Sequence, residues 1–326
     1  MDNSGWNMYV FRDGREHLTG EEARVRLVEA IARAIATPGE DSCLAALIAA
    51  GEVECALSDL RSPSEDEAAD LTSAIADCFV TNNALSPDLL ECARRLTLPD
   101  ELQLSVAEGF AYYALHPQKL LCVPSDVEGI ATARVIGMRS IGTTLSAVVA
   151  AALRAMGATV DRITVRPNGH PYERQLTFSE AEKTWLHEAG PNSMVVIVDE
   201  GPGISGSSFL AVAEAVEQCG IASQRILMVG SRDPDPQQLR APQAAVRWTR
   251  FRFRAVTDAP ILPKGAKDDL GGGCWRRVLL RNFENQPASW TQHESAKYLS
   301  DDRKSIFKFL GYGHYGECLA RRAEKL

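Results

Sequence analysis

From about residue 119 onward, short apolar runs alternate with stretches of helical length, and this alternation restricts the fold more than any other feature of the sequence. Leu120–Pro124, Arg134–Met138, Asp161–Arg166, Val195–Val198 and Arg225–Val229 read as short buried strands. Between them Thr143–Met156, Glu180–Glu188 and Phe209–Gln218 read as helices, the first and last closed by Gly157 and Gly220. Strand–helix–strand repeats of this size predict an α/β fold, a mostly parallel sheet with helices on both faces. Ligands in such sheets lie beyond the carboxyl ends of the strands. Chemistry is therefore expected after Met138, Arg166, Val198 and Val229. Arg247–Phe253 alternates basic and apolar residues, which suits a half-exposed strand.

The most informative stretch is Val195-Val196-Ile197-Val198-Asp199-Glu200-Gly201-Pro202-Gly203-Ile204-Ser205-Gly206-Ser207-Ser208-Phe209. It is a buried strand, two adjacent acids, a Gly/Ser-rich loop and the start of a helix. A loop of that kind offers backbone N–H groups and hydroxyls to a phosphate, and the helix dipole favours the anion. Two carboxylates beside a phosphate would repel it unless they face something else, such as sugar hydroxyls or a metal. Phosphate on one side and a diol on the other describe a ribose 5-phosphate. The competing reading is a glycine-rich strand–helix turn with solvated acids.

This stretch resembles the phosphoribosyl-diphosphate (PRPP) binding motif of type I phosphoribosyltransferases, and the resemblance covers residues 119–235. It implies that Asp199 and Glu200 hold the ribose 2- and 3-hydroxyls, and that Gly203, Ser205, Gly206, Ser207 and Ser208 cradle the 5-phosphate. The spacer Gly201–Ile204 is one residue longer than usual for that family and serine replaces its first threonine, which leaves the loop register open by one residue. A second element stands in the right order: Arg139-Ser140-Ile141-Gly142-Thr143-Thr144 follows the first core strand, where the family holds pyrophosphate. Arg139, Ser140, Gly142 and Thr143 offer a cation, N–H groups and hydroxyls at a helix start; the plainer reading is an ordinary helix N-terminus capped by Thr143. Arg166-Pro167-Asn168-Gly169-His170-Pro171-Tyr172-Glu173-Arg174 is either a flexible loop that closes over the site, with Arg166, His170 or Arg174 facing the leaving pyrophosphate, or a solvated polar hairpin. Asp233, in Ser231-Arg232-Asp233, is a candidate metal contact beside Asp199 and Glu200, or part of a simple turn closed by Pro234.

The resemblance implies a magnesium-dependent transfer of ribose 5-phosphate from PRPP to a nucleobase-like acceptor, with release of pyrophosphate and no organic cofactor. Asp199, Glu200 and Arg139 are then the expected catalytic residues. The acceptor would be set by residues outside the core: the N-terminal layer, the aromatic segment Glu108–Pro117 around Phe110–Tyr113, or the Arg247–Trp275 region. Other classes remain open: a PRPP- or nucleotide-binding regulator without turnover, a nucleoside-cleaving or toxin-like effector that works with partners, and an interaction protein using an acidic helical face.

Residues 21–98 read as helices: Thr19 and Glu22 form a capping-box pattern, and Val25, Leu27, Val28, Ile31 and Ile35 follow at helical spacing. Leu44–Leu60, Glu65–Val80 and Pro87–Leu96 continue the pattern, punctuated by Gly51 and Ser62-Pro63-Ser64, and no chemistry is expected in them. Residues 1–110 carry 8 Lys/Arg against 21 Asp/Glu, and the remainder 27 against 22, within a net charge of −8. An acidic chain is a poor general nucleic-acid binder. The eight cysteines show no zinc-ligand spacing. The best candidate span, the Ala/Val-rich Leu145–Leu153, is too short to cross a bilayer, and Met1–Trp6 has no signal-peptide pattern, so a cytoplasmic chain is expected. The expected division is an acidic helical accessory region (1–110), the α/β core (111–260) and a C-terminal extension (261–326), in a homo-oligomer. Gly311–Gly316 matches GxGxxG but leaves no room for a dinucleotide-binding unit, so it reads as a loop, an intersubunit contact or the opening of a further domain.

Overall fold

Five parallel strands in the order β4-β3-β7-β8-β9 form the centre of the molecule: β3 (Thr132–Met138), β4 (Thr159–Val165), β7 (Met194–Val198), β8 (Ile226–Gly230) and β9 (Arg252–Ala255). The computed structural model describes residues 14–127, 129–256, 264–271, 274–279 and 295–323. Before the sheet come β1 (Arg15–Thr19), α1 (Gly20–Ala36), α2 (Glu40–Leu60), α3 (Glu65–Thr81), α4 (Pro87–Arg95), β2 (Glu101–Ser105) and the short α5 (Glu108–Ala111). Within it lie α6 (Ile141–Ala155), the hairpin strands β5 (Asn168–His170) and β6 (Glu173–Gln175), α7 (Glu180–Glu188), α8 (Ser207–Gln218) and α9 (Ala244–Trp248). After it come β10 (Ala266–Asp269), α10 (Trp275–Leu279), β11 (Lys297–Ser300), β12 (Ile306–Lys308) and α11 (His314–Ala323).

The two-residue period of the strands sorts their side chains onto two cores. Ala133, Val135, Val196, Val198, Leu227 and Val229 face α6 and, beyond it, α1–α3. Ile136, Val195, Ile197, Ile226 and Met228 face Phe209, Leu210 and Val212 of α8, Leu186 of α7 and Trp248 of α9. Helix α6 is therefore covered on both sides, and Ile141 to Leu153 are all buried. Its Ala/Val-rich run is a helix inside a three-layer stack, apolar all round because neither side meets water. Among the described residues no helix is long and apolar enough to cross a membrane.

The N-terminal helices form as their patterns predict, with both arms of the Thr19–Glu22 capping box present. Gly51, read as punctuation, lies inside α2 instead. A Cβ there would come within 2.0 Å of Thr144 Oγ1, so Gly51 lets α2 lie directly on α6. The second face of α2 is buried as well, and it carries Glu52 and Glu54 into the interior.

Three expectations are corrected. Leu120–Pro124 is not a strand but part of a run of 3-10 turns over Pro117–Val127, because its inward residues Leu120, Val123 and Val127 recur at helical rather than alternating spacing. Arg247–Phe253 splits into the end of α9 and the start of β9: Trp248 and Phe251 are buried, while Arg247 and Arg250 pair with Glu214 and Glu217 of α8. The Gly311–Gly316 segment leads straight into α11 of the same chain; Gly313 lies against Ala45, and the Tyr315 hydroxyl reaches Glu52 and accepts the Ala107 N–H at 3.0 Å. Met1–Trp6, where no signal-peptide pattern was found, lies outside the described residues.

Candidate functional site

Strand order reverses between β3 and β7: from β3 the chain first moves outward to β4, then returns to β7 on the other side. At such a reversal the loops leaving the two strands diverge and open a crevice at their carboxyl ends. Here that crevice is a cavity of about 580 Å³.

The β7 loop supplies its floor. Asp199 and Glu200 follow the strand directly, and both line the cavity. Burial, the largest cause, pushes the Asp199 carboxyl up to about 7, against the N–H groups of Glu200 and Gly201 and the charge of Arg166. Glu200 stands well above the ordinary glutamate range, through burial first and then the charges of Asp199 and Glu108; the Gly109 N–H, 3.0 Å from Oε2, and Arg232 act the other way. Two adjacent carboxyl groups so placed titrate as a pair, with their affinity for protons raised above the ordinary carboxylate range. The loop then passes the cis Gly201–Pro202 peptide, whose Pro202 carbonyl is held by Arg232 at 2.8 Å, and reaches α8 through Gly206.

Gly203, Ser205, Gly206, Ser207 and Ser208 all line the cavity. The hydroxyl donors of Ser205 and Ser207 already have an acceptor. Ser205 and Ser207 donate to one backbone carbonyl, that of Pro171, at 2.9 and 2.6 Å, and the two hydroxyls lie 3.0 Å apart. Pro171 is in the turn of the β5–β6 hairpin. The segment expected as a mobile loop or a solvated hairpin is thus a hairpin whose tip is seated on the serine loop. Arg174 lines the cavity and donates to the Gly169 carbonyl at 2.8 Å; His170 is exposed on the hairpin and outside the lining.

Across the cavity stand Arg139, Ser140 and Arg166. Ser140 has φ 112° and ψ −128°, a left-handed conformation that costs a non-glycine residue about 1–3 kcal/mol and persists only where its surroundings enforce it. Its N–H meets the buried Cys55 thiol, and Arg139 N donates to the Val165 carbonyl at 2.8 Å. Gly142 and Thr143 lie one step deeper: Thr143 is fully buried, and a Cβ on Gly142 would come within 2.8 Å of the Val198 carbonyl. They shape the loop without lining the cavity. Asp233 is exposed and outside the lining.

The remaining wall comes from Arg15 and Ser105, which the sequence did not mark as functional, and from Glu108, the first residue of a segment expected to help set the acceptor. Arg15 and Ser105 pair across the β1–β2 ribbon, and Glu108, buried, brings a third carboxyl toward Glu200. Glu108 was legible as a lone acid among small and aromatic residues, a context in which acids are seldom placed without a task. The expected aromatic platform is absent from the lining: Phe110 is fully buried in the core, and the aromatic rings that line the cavity are Tyr172 and Phe209. Asp59, at the end of α2, is a partner of Arg139 and Arg166, two of the four arginines that line the cavity: its carboxylate accepts from Arg166 Nε at 2.7 Å and from Arg139 at 3.4 Å. Among the described residues no group of three or more His, Cys, Asp or Glu is placed to hold a metal ion.

The arrangement sets a carboxyl pair of raised proton affinity between a hydroxyl-rich helix start and two guanidinium groups. It can hold a polyhydroxylated anion and accept or deliver a proton near neutral pH. No protein-family model matches the chain, and no curated protein matches it.

Proposed function

We propose that the protein is a phosphoribosyltransferase that moves ribose 5-phosphate from PRPP to a nucleobase-like acceptor. The observation that carries this reading is the meeting of three parts at the sheet's reversal point: the Asp199–Glu200 pair, the Ser205–Ser208 loop at the start of α8, and the Arg139–Ser140 loop opposite. Asp199 and Glu200 orient the ribose diol, and the serine loop takes the 5-phosphate. Arg139, Arg166 and the N–H groups of the strained loop face the pyrophosphate. The C1–oxygen bond to pyrophosphate breaks, its electron pair leaves with pyrophosphate, and the acceptor nitrogen bonds to C1 and gives up its proton. A carboxyl poised near neutral pH can take that proton.

The donor set suits magnesium in its usual protein mode, one or two carboxylates completed by substrate oxygens. Asp199 and Glu200 would supply the two carboxylates; burial is the main cause of their raised affinity for protons, and a bound cation would favour their ionised form. The charge neutralisation that bound magnesium provides falls on the leaving pyrophosphate. Entry of a phosphate requires the Pro171 carbonyl to leave the Ser205 and Ser207 hydroxyls, so hairpin withdrawal precedes binding.

Titration calorimetry of PRPP with magnesium tests the reading. Micromolar binding by the wild type that is lost in Asp199→Asn/Glu200→Gln supports it and opens a screen of acceptors by pyrophosphate release. A folded wild type that binds no PRPP removes the transferase reading.

A further inference from the structure

The last turn of α2 contains no basic residue, although cations stabilise helix carboxyl ends. Two arginines from the distant core take that position instead. Arg166, just past β4, lays two nitrogens on both oxygens of Asp59, at 2.7 and 2.5 Å. Arg139, just past β3, reaches Asp59 Oδ1 at 3.4 Å while its other nitrogens bond the Thr164 hydroxyl at 3.3 Å and carbonyl at 3.2 Å. One turn earlier on the same face of α2, the Cys55 sulfur lies 3.4 Å from Arg166 and takes the Ser140 N–H. The end of α2 therefore touches each component of the cavity's cationic wall: both guanidinium groups and the strained peptide between them.

We propose that Asp59 is a positioning residue for the anion-binding wall: it holds Arg139 and Arg166 aimed at the cavity, so that the acidic helical layer belongs to the site. This rests on the transferase reading and assigns the Asp59-supported wall to the pyrophosphate of PRPP, not to its 5-phosphate, which belongs to the serine loop across the cavity. Arginine side chains have many rotamers, and a bidentate carboxylate removes most of that freedom before an anion arrives.

The test uses two probes on the full chain: magnesium pyrophosphate for the cationic wall and ribose 5-phosphate for the serine loop, both by calorimetry. Asp59→Asn keeps the size and removes the charge. It should weaken pyrophosphate by ~10-fold or more, as loss of a supporting carboxylate commonly does, and leave ribose 5-phosphate unchanged. Asp59→Glu should recover most of the loss, and it serves as the second variant if Asn disturbs folding. In a double-mutant cycle, adding Asp59→Asn to Arg166→Gln should cost less than Asp59→Asn costs in the wild type, and what remains is the share that acts through Arg139.

Equal weakening of both probes would mean that Asp59 only supports the fold, and unchanged or tighter pyrophosphate binding would mean that it competes with the ligand. Either result overturns the inference and leaves the transferase reading standing. A wild type that binds neither probe nor PRPP overturns both.

Discussion

Replacing Asp199 by Asn should stabilise the protein at neutral pH, by an amount that grows with pH in a defined window. The Asp199 carboxyl stands at about 7 in the fold against an ordinary 3.8, with burial the main cause. Between those values the folded chain keeps a proton that the unfolded chain has released. The stability linked to that proton is complete below pH 3.8 and is lost as pH rises through about 7. Holding the carboxylate ionised in the fold above that pH costs at most ~4 kcal/mol. Water in the open cavity screens part of this, so about 2–4 kcal/mol is expected. Asn has the same shape, retains one acceptor for the neighbouring N–H groups, and has no charge to bury. Its effect on Glu200 acts in the same sense, because the Asp199 charge is one of the causes that raise Glu200. Urea unfolding followed by tryptophan fluorescence from pH 4 to 8.5, without magnesium, measures the difference. The variant should match the wild type within about 1 kcal/mol at pH 4 and exceed it by about 2–4 kcal/mol at pH 8. A difference that is flat across this range would refute the burial argument. One that falls with pH would mean that the fold pairs Asp199 with a cation strongly enough to reverse the sign.

Two further outcomes follow from contacts around the site. Arg162 and Glu54, whose side chains are 3% and 2% exposed, form a two-point ion pair at 2.8 and 2.9 Å; Arg162→Met should cost ~3–5 kcal/mol in urea unfolding by stranding Glu54, and adding Glu54→Leu should recover much of it. A single change costing less than ~1 kcal/mol would show that water reaches the pair. At the hairpin, saturation with ribose 5-phosphate should speed amide exchange across residues 168–175, since the phosphate takes the two hydroxyls that hold Pro171. Exchange that slows there would mean that the hairpin closes on the ligand without leaving the serines.

What the sequence revealed about the site was local. Strand β7, its two acids and the serine loop occupy one continuous stretch, so their order and spacing could be read directly. The same holds for Arg139–Thr143 and for the Thr19–Glu22 cap. Contacts set by the tertiary fold were not legible. Asp59 lies 107 positions from Arg166 and is one of 21 acids in its region, with nothing nearby to mark it. The β1–β2 ribbon joins Arg15 to Ser105 with four helices between them, so no turn signal announces it. Leu120–Pro124 and Arg247–Phe253 were misread for a different reason: a short apolar or alternating run fits a strand and a helical turn equally until its packing partners are known.

The charge asymmetry of the chain has a structural counterpart in these long-range contacts. Asp59 meets Arg166 and Arg139, Glu54 meets Arg162, and Asp77 meets Arg154 at 2.8 Å, each pairing an acid from the first 110 residues with an arginine from the later, basic part. Part of the acidic excess is thus counter-charge for the core's arginines, with Glu54 buried and Asp59 and Asp77 partly exposed. The consequence for the site is geometric. Helix α6 begins at the Ser140 loop, lies between the sheet and α2, and meets α2 at the Gly51–Thr144 contact, where a single methyl group would not fit. A shift of α2 along α6 would therefore move Cys55 and Asp59 together relative to Ser140, Arg139 and Arg166. Tight packing at Gly51 fixes α2 on α6, and charge pairing at Asp59 fixes it to the loops that follow β3 and β4; these two points along α2 set the position of the cationic wall against the carboxyl pair.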